Sequence, residues 1–367
     1  MVKFLFLILL LCAETANSQT LSDVDWKIVT PEQIQRLVNN TVYRPRMHRQ
    51  VTPKQIQKPI DNKTSASDSS LLVAAANNSN PAVIEALIKA KADVNAQTKD
   101  GFTPLMVAAE LNPSPALIKA LIKAKADVNA RDKDGGTPLM IAAMHNSNPA
   151  IIEALLKAKA NVNARDKDGL TPLMFAARDN SNPTIAEVLI KAKADVNARI
   201  KDGGTPLMAA AVKNPNPAVI EALVKAKADV NAQDKEGRTP LMLAASHNSN
   251  PAVIEALIKA KADVNARTKD GLTPLMFAAV LNPNPAVIEA LVKVNTDVNA
   301  RNKAGVTALM AAAMFNSHPA VIEALIKAKA DVNARDKAGK TAFDYAEDNP
   351  KIKGTPVYWK LNDLMYK

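Results

Sequence analysis

The chain has 367 residues, with 47 Lys and Arg against 36 Asp and Glu, four His, a single Cys and a formal charge of +11. One cysteine excludes a disulfide framework. The positive balance favours acidic partners or anionic surfaces and says nothing about fold.

In chain order, residues 1–18 carry Lys3, an apolar run from Phe4 to Cys12 and a small-residue site at Ala16-Asn17-Ser18. This reads as a secretory signal peptide, too short for a membrane span, and places the protein outside the cytoplasm, periplasmic or secreted. A lipoprotein signal that keeps Cys12 for acylation is the competing reading, but bulky Leu11 stands where such a site wants a small residue. Cleavage after Ser18 removes the only cysteine together with Lys3 and Glu14, so the charge stays at +11 and packing alone must hold the mature chain. Residues 19–64 form an N-terminal segment with two related phrases, VTPEQIQRLVNN at Val29 and VTPKQIQKPIDN at Val51. Their Thr-Pro-x-Gln starts look like capping boxes; the first predicts a partial helical cap, and residues 62–70 a flexible entry to the rest of the chain.

From residue 65 an internal repeat takes over. KAKA recurs at Lys89, Lys123, Lys157, Lys191, Lys225, Lys259 and Lys327, and TPLM at Thr103, Thr137, Thr171, Thr205, Thr239 and Thr273, weakening to TALM at Thr307 and TAFD at Thr341. The step is 34 residues, so units begin at 65, 99, 133, 167, 201, 235, 269, 303 and 337 and end near 350. Such a period marks stacked supersecondary units, each burying its apolar face only against its neighbours. In the unit from Lys133, Asp134-Gly135 predicts a tight turn, Thr137 an N-cap and Pro138 the first helical position. A short first helix with small residues at Ala142 and Ala143 stops near Asn146. Asn148 and Pro149 then open a second helix whose Ile151, Ile152, Leu155 and Leu156 share one face. Residues 351–367 predict a C-terminal capping helix, with Val357, Leu361, Leu364 and Met365 sealing the last unit.

The motifs DKDGxTPLMxAA and EALIKAKADVNA resemble those of the ankyrin repeat family, over residues 65 to about 350. The resemblance implies an all-α repeat solenoid: stacked helix-turn-helix units joined by short β-hairpin-like turns, in an elongated curved array. Three departures stand out. Met106, Met140, Met174, Met208, Met242, Met276 and Met310 replace the family's histidine, exchanging polar links between units for apolar packing. One extra loop residue lengthens the period. Lys91, Lys125, Lys159, Lys193, Lys227, Lys261 and Lys329 stand where a glycine usually ends the second helix. In the left-handed conformation each would cost roughly 1 kcal/mol, offset in part by the favourable placing of cations at a helix C-terminus. The copy without KAKA puts Asn295, a tolerant left-handed residue, at that position.

Chemistry is hard to find in this pattern. His48, His145, His247 and His318 are scattered; His145 and His247 sit three units apart, about 30 Å at roughly 10 Å per unit, too far to share a metal. No phosphate loop, calcium loop or activated nucleophile is nominated, so no enzyme activity and no cofactor is expected. Trp and Tyr are absent from the central units, which argues against nucleic acid. The outer helix is copied almost verbatim, whereas two places drift: the residue after the turn glycine, and the two residues after Ala-Ala. The ankyrin resemblance implies protein binding through the turn tips and the concave face of the first helices. The candidate protein-binding residues are therefore Phe102, Glu110, Leu111, Met144, His145, Leu170, Arg178, Asp179, Arg238, His247, Leu272, Val280, Leu281, Val306, Met314 and Phe315. Leu272, Val280, Leu281, Val306, Met314 and Phe315 fall in adjacent units and predict an exposed apolar patch. The expectation is a monomeric exported scaffold that binds a partner protein, the alternative being an adaptor held to anionic cell-envelope polymers by its lysine rim.

Overall fold

The structure is a computed structural model and describes residues 66–366. The signal peptide and the N-terminal segment expected at 1–18 and 19–64 lie outside these residues. Among the described residues there are 18 helices and no strand. They fall into two compact units, divided between Val264 and Asn265.

In residues 66–264 six helix pairs follow one another. The first helices are α1 (Ala66–Asn77), α3 (Pro104–Leu111), α5 (Pro138–His145), α7 (Pro172–Asp179), α9 (Pro206–Lys213) and α11 (Pro240–His247). The second helices are α2 (Pro81–Lys89), α4 (Pro115–Lys123), α6 (Pro149–Lys157), α8 (Pro183–Lys191), α10 (Pro217–Lys225) and α12 (Pro251–Lys259). First helices pack on first helices and second on second, the stacking expected of a repeat solenoid. Residues 66–70, expected as a flexible entry, are instead the opening turn of α1, whose Leu71 and Leu72 are already fully buried.

Residues 265–366 hold α13 (Pro274–Leu281), α14 (Pro285–Val292), α15 (Ala308–Phe315), α16 (Pro319–Lys327), α17 (Ala342–Glu347) and α18 (Pro356–Met365). The first helices α13, α15 and α17 stack in order, and α18 lies against α16 and α17. Val357 and Leu361 of α18 are buried as expected of a cap, whereas Leu364 and Met365 are only half-buried. Tyr358 stacks with Phe343 at 4.9 Å and meets Trp359 edge-on at 5.0 Å, and Trp359 itself stays exposed.

The helix boundaries follow from capping. Thr103, Thr137, Thr171, Thr205, Thr239, Thr273 and Thr307 each accept a hydrogen bond from the third residue on, and all but Thr307 precede a proline at the first helical position. First helices are buried almost all round, with Ala142 and Ala143 at the close contacts, while second helices bury one face such as Ile151, Ile152, Ala154 and Leu155.

The lysines do take the left-handed conformation. Lys91, Lys125, Lys159, Lys193, Lys227, Lys261 and Lys329 have φ between 63° and 73°. Around Lys91, its own N–H reaches Ile88 O at 2.9 Å and that of Ala92 reaches Leu87 O at 3.1 Å, the paired bonds of a Schellman ending. The exceptional copy corrects the expectation for Asn295, which is absent from the positive-φ residues. α14 stops a residue early, and the Thr296 hydroxyl donates to Leu291 O at 2.6 Å. A side-chain hydroxyl thus satisfies the carbonyl that the backbone N–H of an alanine satisfies in the other copies, and the left-handed residue is no longer needed.

Candidate functional site

Most first helices end on an asparagine whose side chain is fixed from three sides. Asn146 Nδ2 donates to Ala109 O and to Asn112 O, both at 3.1 Å, and its Oδ1 accepts from Asn148 N at 3.0 Å. The same two donations recur at Asn112, Asn180, Asn214 and Asn248 in residues 66–264, and at Asn316 and Asn349 in residues 265–366. These asparagines are nearly inaccessible to solvent, and they satisfy carbonyls that the preceding helix leaves open at its end. Methionine for histidine therefore does not abolish polar links between units, as the sequence suggested; the links are carried by asparagines at the far end of the helix. This anchor fixes the last turn, so the two residues before it keep one backbone position while their exposure follows the side chain.

The turn tips behave differently from expectation. Asp132 N donates to Gly136 O, Gly135 N to Asp132 O, and Asp132 Oδ1 accepts from Asp134 N and Gly136 N. Gly101 shows why the turn takes glycine: φ is +86°, and a Cβ there would lie 2.9 Å from Asp132 Cα. The residue after the glycine is tied on both its N–H and its C=O and runs straight into the buried threonine cap. Its side chain is drawn under the turn instead of standing at the tip. Phe102, Leu170, Leu272 and Val306, expected to face solvent, are accordingly buried. Arg238 is half-buried and folds back on its own turn, with Nε 2.6 Å from Asp234 Oδ2 and a guanidinium nitrogen 3.2 Å from Glu236 Oε2. Burial raises the Glu236 carboxyl above its ordinary range despite that neighbour.

The pair before the asparagine divides by position. Glu110, Met144 and Arg178, its first members, are buried. Of the second members, Leu111 is exposed and His145, Asp179 and His247 are half-buried. From α7 to α11 the second members Asp179, Lys213 and His247 are polar. Arg178 pairs with Asp179 at 2.7 Å and lies 5.5 Å above the Phe175 ring, and Asp179 accepts from Lys213 Nζ of the next repeat at 2.7 Å. Further along, His247 Nδ1 is 2.5 Å from Ser246 Oγ, while its Nε2 is buried with no hydrogen-bond partner. Desolvation pulls the His247 imidazole down to about 4, with the Arg238 charge acting in the same direction.

In residues 265–366 the row is apolar on α13 and α15 and acidic on α17, where Glu347 and Asp348 precede Asn349. Val280 and Leu281 end α13, Met314 and Phe315 end the neighbouring α15, and all four are half-buried. The patch expected from six residues therefore reduces to four, since Leu272 and Val306 lie beneath the surface. Phe277, one turn before Leu281 and also half-buried, carries no sequence signal of exposure because it stands at a position that is buried in the earlier repeats. No group of three or more metal-ligating side chains occurs among the described residues, and no described helix is long and apolar enough to cross a membrane.

The family model for ankyrin repeats (3 copies) matches residues 50–132, 71–166, 105–200, 145–234, 207–302 and 277–353. Comparison with curated proteins found no match.

Proposed function

The chain belongs to the ankyrin repeat family, and on that premise we propose that it is an exported, non-catalytic scaffold that binds a partner protein through the ends of its first helices. Ankyrin repeats generally mediate protein–protein interaction, so the class of activity follows from the family. The observation that carries the finer reading is the row Val280, Leu281, Met314 and Phe315, half-buried on two adjacent helices whose last turns are anchored by asparagine. Apolar side chains held rigidly at the edge of a packed core lose little freedom on binding, which is what an affinity anchor requires. Export is supported by the apolar run and small-residue site of residues 1–18.

The adaptor reading is weaker on charge. Between residues 66 and 264, Lys and Arg outnumber Asp and Glu only 24 to 21. The paired lysines of each repeat are thus nearly offset by Glu and Asp a few residues away, within a Debye length of about 8–10 Å. Salt separates the readings: partner capture through apolar anchors persists at high ionic strength and is lost in Met314→Ala with Phe315→Ala, whereas capture by the lysine rim collapses with salt and ignores those substitutions. Capture unaffected by the double variant at either salt level would remove the anchor reading. N-terminal sequencing of the secreted chain should begin at Gln19.

A further inference from the structure

In residues 265–366 the ends of three first helices lie side by side. Asn316 Nδ2 donates to Ala279 O at 2.9 Å and to Asn282 O at 3.1 Å, which sets the last turn of α15 against that of α13. Asn349 Nδ2 donates to Ala313 O at 2.9 Å and to Asn316 O at 3.0 Å, which does the same for α17 against α15. Ala279 and Ala313 directly precede Val280 and Met314. Val280-Leu281, Met314-Phe315 and Glu347-Asp348 are therefore consecutive neighbours, each one helix spacing of about 8–10 Å from the next.

The chemistry changes along this line. Its four apolar side chains are half-buried, whereas Glu347 and Asp348 are both exposed. Neither carboxylate is held firmly. Glu347 Oε1 accepts from the Tyr358 hydroxyl at 3.4 Å, longer than a strong hydrogen bond. Asp348 Oδ2 meets Lys340 Nζ at 3.3 Å, in a pair whose side chains are 62 % and 37 % exposed; water screens such a pair, and another cation can replace its lysine. An apolar line that ends in exposed carboxylates fits a segment that buries bulky apolar side chains along its length and carries Lys or Arg at one end. The apolar contacts then supply affinity, and the charges fix the direction in which the segment lies and penalise the reverse.

We infer that the partner protein presents such an apolar–basic segment, docked with its apolar side chains across the ends of α13 and α15 and its cation on Glu347 and Asp348. The inference rests on the scaffold reading above and names the chemistry of the partner. Fluorescence anisotropy on the full chain tests it with two labelled amphipathic peptides, each about 18 residues long with the same leucine and phenylalanine face. One ends in two arginines and the other in two glutamates. The arginine peptide should bind at least tenfold tighter than the glutamate peptide. Glu347→Gln/Asp348→Asn, isosteric changes at two exposed positions that leave the fold intact, should bring the two affinities together, and Met314→Ala/Phe315→Ala should weaken both peptides. Equal affinities for the unaltered chain, or a preference that survives Glu347→Gln/Asp348→Asn, overturn the inference, and a loss caused by Met314→Ala/Phe315→Ala would still uphold the anchor reading. Binding of neither peptide, or binding indifferent to Met314→Ala/Phe315→Ala, overturns both. A dimer mass in light scattering that Met314→Ala/Phe315→Ala abolishes would assign the row to a second copy of the chain and also overturn the inference.

Discussion

The first helices α7, α9 and α11 of residues 66–264 and α13 and α15 of residues 265–366 are built from one repeat and finish in opposite ways. The former end in Arg178-Asp179, Lys213 and Ser246-His247, which engage one another; the latter end in Val280-Leu281 and Met314-Phe315. The backbone anchor is common to both, since Asn214 and Asn316 make the same pair of bonds to the preceding repeat. The difference therefore lives in side chains that change from repeat to repeat over a constant backbone anchor, which is where partner recognition can vary while the architecture is kept.

The sharpest way to break this contrast is to remove one polar member and one apolar member. Asp179→Ala leaves the Arg178 guanidinium buried without its carboxylate, at a cost of about 3 kcal/mol. Leu281→Ala trims a half-buried side chain and should cost about 1 kcal/mol or less. Urea midpoints followed by circular dichroism compare the two. Equal losses would mean that the apolar row is core in its own right and not an available surface.

Acid should act on the polar row. The unfolded His247 takes a proton near its ordinary 6.5 and the folded one only near 4, so the neutral form favours folding. That stability is complete above pH 6.5, declines as pH falls toward 4, and amounts to about 3 kcal/mol in all. His247→Gln should flatten this part of the stability–pH curve; a curve unchanged by the substitution would show that the imidazole titrates freely.

The ladder tests the shared part. Asn214→Ala and Asn316→Ala each strand two buried carbonyls, costing about 2 kcal/mol in either region. A much smaller loss at Asn316 would show that the two regions are not held alike.

Capping explains why so much of the fold is legible. Thr137-Pro138 and Asn148-Pro149 act through bonds to residues two or three positions away, so local sequence suffices to place both helix starts. Asn146 resists the same reading because its partners, Ala109 and Asn112, lie in the preceding repeat; its one sequence signal is recurrence in steps of 34 from Asn112 to Asn316. Leu272 and Val306 defeat the sequence for a related reason. Drift suggests exposure, but the turn's own hydrogen bonds carry the next side chain inward whatever its identity. Val280, Leu281, Met314 and Phe315 remain candidates because they lie at helix ends, outside these turns, and stay half-buried.

The smallest expected effect concerns a feature both regions share. Lys193 and Lys329 hold φ of 70° and 63°, and glycine at either place would remove the steric cost while keeping the Schellman bonds of the backbone. The neighbouring Lys191 and Lys327 still stand at the helix C-terminus, so most of the favourable charge interaction is retained. Unfolded-state entropy works against glycine, and the net gain for Lys193→Gly or Lys329→Gly should be about 0.5 kcal/mol or less. Thr296→Val supplies the control. In that copy no left-handed residue exists, and the hydroxyl bond to Leu291 O carries the ending, so its loss should cost about 1 kcal/mol. If Thr296→Val were neutral while Lys329→Gly destabilised by 1 kcal/mol or more, a bond made by the lysine side chain, not the backbone ending, would be what holds these termini.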